Sequence, residues 1–145
     1  MSLSTSKPLL IGVFLACTVG LFMFAQSASA LSGRKLEGSG VLCASGVGVA
    51  VLEGDGSVTI TGEGFGSIWV KGAEIVRVQG SGARFDYKRG TLFVGWRGVV
   101  YASGADMKIR ISGDHIEFVA VGTGSVFLVG RGFYRVNGQV GEWQQ

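Results

Sequence analysis

The sequence predicts an all-β protein, built as a glycine-cornered β-solenoid of short strands. Apolar residues alternate with period two, glycine returns every eight to ten residues or so, and no stretch keeps the 3.6-residue period of an amphipathic helix. Of the 145 residues, 26 are glycine and one is proline. Glycine therefore supplies the corners, and it interrupts every candidate helix before three turns could form.

In chain order, residues 1–30 read as a secretory signal. A polar start with one cation, Lys7, precedes an apolar run from Pro8 to Ala25, and Gln26-Ser27-Ala28-Ser29-Ala30 follows. Ala28 and Ala30 supply the small side chains that a signal peptidase accepts, so the mature chain is expected to begin at Leu31. The expected address is extracellular, periplasmic or cell-surface. The alternative is an uncleaved anchor over residues 8–25, close to the length that spans a bilayer. Membrane contact is expected only in that case. Cys17 as a lipidated residue fits less well, because the chain stays apolar beyond it.

Residues 31–37 form a short polar lead-in, and 38–145 a single all-β domain, a length that buries a core for one domain and hardly for two. The whole chain carries 13 Lys and Arg against 10 Asp and Glu. Losing Lys7 leaves the domain nearly neutral, which gives no case for nucleic acid as a partner. With Cys17 removed, Cys43 is the one remaining cysteine and no intramolecular disulfide is expected. Its setting, Val41-Leu42-Cys43-Ala44, is that of a small buried hydrophobe.

Corners fall at Gly54, Gly62, Gly72, Gly80, Gly95, Gly104, Gly113, Gly122, Gly130 and Gly138. Between them, Val58 and Ile60, Ile68 and Val70, Val76 and Val78, and Ile109 and Ile111 point inward. The same alternation carries through Ile116, Phe118, Val126, Leu128, Tyr134 and Val136. Lys71, Lys108, Glu117 and Arg135 fall outward. Paired glycines such as Gly54-Asp55-Gly56 and Gly122-Thr123-Gly124 are expected to permit sharp reversals. Equal steps suit stacked two-strand coils of about 17 residues. An antiparallel β-sandwich or barrel uses the same strands as hairpins, and the sequence leaves strand direction open.

The segments Val58-Thr59-Ile60-Thr61-Gly62, Ile109-Arg110-Ile111-Ser112-Gly113 and Val126-Phe127-Leu128-Val129-Gly130 resemble the strand-and-glycine repeats of adhesin head domains in bacterial surface proteins. The resemblance covers Gly38 to Gly138 and rests on composition and rhythm. It implies a surface-exposed β-solenoid with no catalytic residues to carry over.

The chemistry of an enzyme is not visible. After residue 30 the chain has one histidine, His115, and one cysteine, without ligand-spaced partners, so no metal is expected. The glycines match neither phosphate-binding nor dinucleotide motifs, so no cofactor is expected. Gly54-Asp55-Gly56-Ser57 looks like part of a calcium turn, but successive coils do not repeat its aspartate. Asp86, Asp106, Asp114 and Glu117 read as solvated rather than as a paired acid and base.

What remains is an excursion between Gly80 and Gly95 that reads as a hairpin or loop before a strand at 91–94. Here Arg84, Phe85, Tyr87, Lys88 and Arg89, with Trp96 and Arg97 beyond, interleave cations with aromatic rings. These seven are the candidate binding residues, suited to an anionic envelope polysaccharide or to another surface protein. The expected function is a non-catalytic secreted or envelope module, structural or adhesive. The alternative is a small secreted hydrolase, which needs a cleft that joins Asp114 and His115 to another polar side chain.

Overall fold

A computed structural model of the chain describes residues 24–29, 33–136 and 138–144. Lys7, Cys17, most of the apolar leader and the expected junction between Ala30 and Leu31 lie outside the described residues. The described elements are all strands: β1 (Phe24–Ser29), β2 (Gly33–Glu63), β3 (Ser67–Lys71), β4 (Ile75–Tyr87), β5 (Gly90–Val136) and β6 (Gln139–Trp143). They form one sheet in the order β1-β2-β5-β3, with β4 and β6 also paired to β5. Among the described residues no helix is long and apolar enough to cross a membrane.

β2 and β5 run for 31 and 47 residues, far beyond the 3–10 or so of an ordinary strand. The paired glycines were expected to reverse the chain; instead it continues through most of them as strand. The reason lies in which positions they occupy. From Leu36 to Gly62 the core-facing alternate positions read Leu, Gly, Gly, Leu, Ala, Gly, Gly, Ala, Leu, Gly, Gly, Val, Ile, Gly. From Ile116 to Val136 they read Ile, Phe, Ala, Gly, Gly, Val, Leu, Gly, Gly, Tyr, Val. Pairs of apolar side chains, or three at Ile116, Phe118 and Ala120, thus alternate with pairs of vacant positions on one face.

The vacancies meet across the sheet. Gly54 is paired with Gly124 and Gly56 with Gly122. A methyl group on Gly56 would run into the carbonyl oxygen of Val121, and one on Gly122 into that of Asp55. Their φ angles of 137° and 146° are closed to ordinary L-residues. Glycine here is what lets two backbones touch on the inside of a bend.

β2 pairs antiparallel with β5 along nearly its whole length, and many of its residues have a β5 partner on both sides. Val126 lies between Leu36 and Leu52, and Ala120 between Leu42 and Val58. In the same way Ile68 of β3 lies between Phe93 and Ile111. One apolar cluster joins β2 through β6, with Leu36, Leu42, Ile60, Phe93, Val100, Ile109, Phe118, Leu128 and Trp143 among its members. Because one face of the sheet carries the main apolar cluster, the sheet bends around its own core.

One expectation is corrected. The lead-in is not a separate polar segment: β2 starts at Gly33, and Leu36 is fully buried. The sequence hid this because Leu36 is flanked by Lys35 and Glu37, which pair with each other at 3.0 Å on the outer face. The expectation of a lone cysteine concerned the chain after cleavage, whereas in the full chain Cys43 is disulfide-bonded. It is half-buried and packs with Val41 and Val119 in a small cluster apart from the main core.

Candidate binding face

The excursion between Gly80 and Gly95 is a hairpin. Ala83 to Tyr87 of β4 pair with Val94 to Gly90 of β5, with a register slip at Gly82. Lys88 and Arg89 form the two-residue turn at its tip, both exposed. Alternation then divides the candidate residues between two faces of the sheet. Phe85 and Tyr87 point outward and are 47% and 57% exposed.

Arg84 stands opposite the buried Phe93 and turns to the inner edge. Its guanidinium carbon lies 5.5 Å from the Phe93 ring centroid. Its Nε donates to Asp86 Oδ1 at 3.2 Å, and Thr91 Oγ1 donates to the same oxygen at 3.1 Å. Arg84 therefore covers the open edge of the core and offsets Asp86, which leaves Lys88 and Arg89 as the charges of the tip without an ion pair among the described residues.

Trp96 belongs to the core rather than to a binding surface. It is 8% exposed, meets Phe93 edge-to-face at 5.2 Å, and its Nε1 donates to the Gln79 carbonyl at 3.1 Å. Arg97 pairs with Ser81 across the Gly80–Gly82 corner and lies against Gly64, away from the hairpin tip. The structure thus keeps Phe85, Tyr87, Lys88 and Arg89 together and separates Arg84, Trp96 and Arg97 from them.

It also adds residues from other strands. Across the outer face one lateral row runs Phe127, Val51, Arg110, Trp69, Leu92, Phe85. In the next row Glu53, Lys108 and Lys71 are successive partners, and Lys108 pairs with Glu53 at 3.5 Å. The Trp69 ring lies over Gly90, where a side chain would meet it. Its centroid is 6.0 Å from that of Tyr87, with the planes tilted by 52°. Trp69, Phe85 and Tyr87 thus line an aromatic strip bordered by Arg110, Lys71, Lys88 and Arg89.

Trp69 was legible as an outward ring, since Ile68 and Val70 flank it. Its place beside Tyr87 was not, because the pairing of β3 with β5 sets that.

Among the described residues, the ion-pair partners of His115 are not the adjacent Asp114 but Glu63 at 3.2 Å and Glu117 at 3.7 Å. The expectation of a histidine without ligand-spaced partners is therefore corrected. Glu63 is distant in sequence and only the fold delivers it.

The fold and this face define an all-β, largely antiparallel domain with a basic aromatic platform on one surface. No protein-family model, curated protein or solved structure matches the chain.

Proposed function

We propose that the protein is a non-catalytic, exported module of the cell envelope that holds an anionic polysaccharide on the outer face around Trp69 and the β4–β5 hairpin. The observation that carries this reading is the row that sets Arg110, Trp69, Leu92 and Phe85 side by side, with Tyr87 against Trp69. Flat rings stack on the apolar faces of sugars, and the bordering cations attract carboxylate or sulfate groups. Contiguous exposed apolar patches are uncommon on a monomer and mark contact surfaces.

The architecture behind this reading is a wound β-hairpin, a solenoid whose neighbouring strands run mostly in opposite directions, β3 lying parallel to β5. The double partners of Val126 and Ala120 support it, as does the recurrence of core-facing glycine pairs. Such a coil gives a long surface, which suits a structural or adhesive role.

The test is retention on an immobilised polyuronate. Wild-type protein is expected to bind at low salt and to elute well below molar salt, because exposed charges are screened over about 8–10 Å at physiological ionic strength. The triple variant Lys88→Ala, Arg89→Ala, Arg110→Ala is expected to flow through with an almost unchanged melting temperature, since all three side chains are exposed. Trp69→Ala with Tyr87→Ala is expected to elute at lower salt. Equal retention of wild type and both variants would remove the face from the reading, and capture by a neutral glucan alone would remove the charge requirement.

Export is tested separately. N-terminal sequencing of exported protein is expected to begin at Leu31. A start at Met1 would overturn cleavage in favour of the anchored form, which keeps both cysteines and the pairing of β1 with Gly33 to Gly38.

A further inference from the structure

The corner where β2 ends brings together three groups that the binding face does not use. Glu63 is the last residue of β2, while His115 and Glu117 lie on β5. Glu117 is paired with Thr61, two positions before Glu63, so the strand register places both carboxylates at one end of neighbouring strands. One ligating atom from each of the three residues falls within 4.8 Å of the other two. His115 Nε2 is 3.2 Å from Glu63 Oε2 and 3.7 Å from Glu117 Oε1.

We propose that Glu63, His115 and Glu117 bind one divalent transition-metal ion of the zinc class. The spacing suits this chemistry. Tetrahedral coordination with bonds of about 2.1 Å sets ligand atoms roughly 3.4 Å apart, and the two nitrogen-to-oxygen distances bracket that value. One imidazole and two carboxylates are a borderline-soft set that zinc accepts, whereas calcium and magnesium prefer oxygen alone.

The convergence of two carboxylates suits a cation. Two carboxylates converge on one point, and the Glu117 side chain is only 20% exposed. Gathering like charges and withdrawing one of them from water is costly unless positive charge offsets them. Among the described residues the sole ion-pair partner of either carboxylate is His115, which offsets charge only when protonated. Arg97 is the register partner of Glu63 and its guanidinium lies against the adjacent Gly64, with no ion pair to either carboxylate among the described residues. A metal ion adds positive charge between the two carboxylates and ties the end of β2 to β5. His115 and Glu63 are exposed, so the remaining coordination positions open to water.

Tag-free protein titrated with zinc by calorimetry, and with cobalt(II) followed by visible absorption, tests the site. The expected result is one equivalent bound with micromolar or tighter affinity, with the intense cobalt bands of a four-coordinate centre. Each of Glu63→Gln, Glu117→Gln and His115→Gln is expected to weaken zinc at least tenfold while melting as wild type does in the presence of a chelator. Absence of a one-equivalent site in wild type overturns the proposal, as does wild-type affinity in any of the three variants. If one variant fails to fold, the other two decide by the same criterion.

Discussion

Replacing Gly56 with alanine is expected to lower the melting temperature by about 10–25 °C, among the largest effects of any single methyl group in this protein. Gly56 has φ of 137° and faces Gly122, and the added carbon would occupy the place of the Val121 carbonyl oxygen. Holding a non-glycine residue in such a conformation costs about 1–3 kcal/mol. Relieving the collision means parting two paired backbones, at about 1 kcal/mol for each hydrogen bond lost. The sum is about 3 kcal/mol from a total stability of about 5–15, and in a domain of this size each kcal/mol moves the midpoint by several degrees.

Gly138 provides the control. Its φ is 75°, but nothing lies within 4 Å of the added carbon, so Gly138→Ala is expected to cost only the backbone term, about 1–2 kcal/mol. Thermal unfolding followed by circular dichroism compares the two. Equal shifts would show that backbone angle alone, and not the meeting of glycines across the bend, makes these positions glycine.

Trp143→Ala is expected to destabilise the domain by about 3–5 kcal/mol, the usual range for a large buried aromatic. Trp143 is 1% exposed and is the largest fully buried side chain among the described residues. Its six-membered ring rests against Gly46 and Gly132, where any side chain would collide with it. A short terminal strand, β6, therefore closes one end of the core with a single ring. The fit is incomplete in one respect: among the described residues Nε1 has no hydrogen-bond partner, and burying an unpaired donor costs about 1–3 kcal/mol. Trp143→Phe removes that donor along with part of the ring, so it is expected to cost less than half as much as Trp143→Ala. Urea unfolding midpoints decide, and an alanine variant as stable as wild type would show that β6 adds nothing to the core.

Much of this architecture was legible in the chain. Val58, Ile60, Ile109, Ile111, Val126 and Leu128 were assigned inward by alternation and are buried, because side-chain direction in a strand follows from position alone. The excursion around Lys88 and Arg89 was legible as a hairpin or loop from its break in the glycine rhythm, and strand pairing makes it a hairpin. The role of the paired glycines was misread, since Gly54-Asp55-Gly56 looks the same in a tight reversal and in a bend of a continuous strand. What distinguishes the two is the opposite backbone, which local sequence does not contain.

The sequence by itself determined the β class, the inward and outward faces, and the places where the chain gives up side chains. Only the tertiary structure decided which outward residues become neighbours. Trp69 stands beside Arg110 and Leu92, and Glu63 reaches His115 and Glu117, because long-range strand register brings them together. Register is set by the packing of the whole core: a slip of one residue would turn every apolar side chain to solvent. The faces were thus written locally, while the sites on them were assembled by pairings between distant parts of the chain.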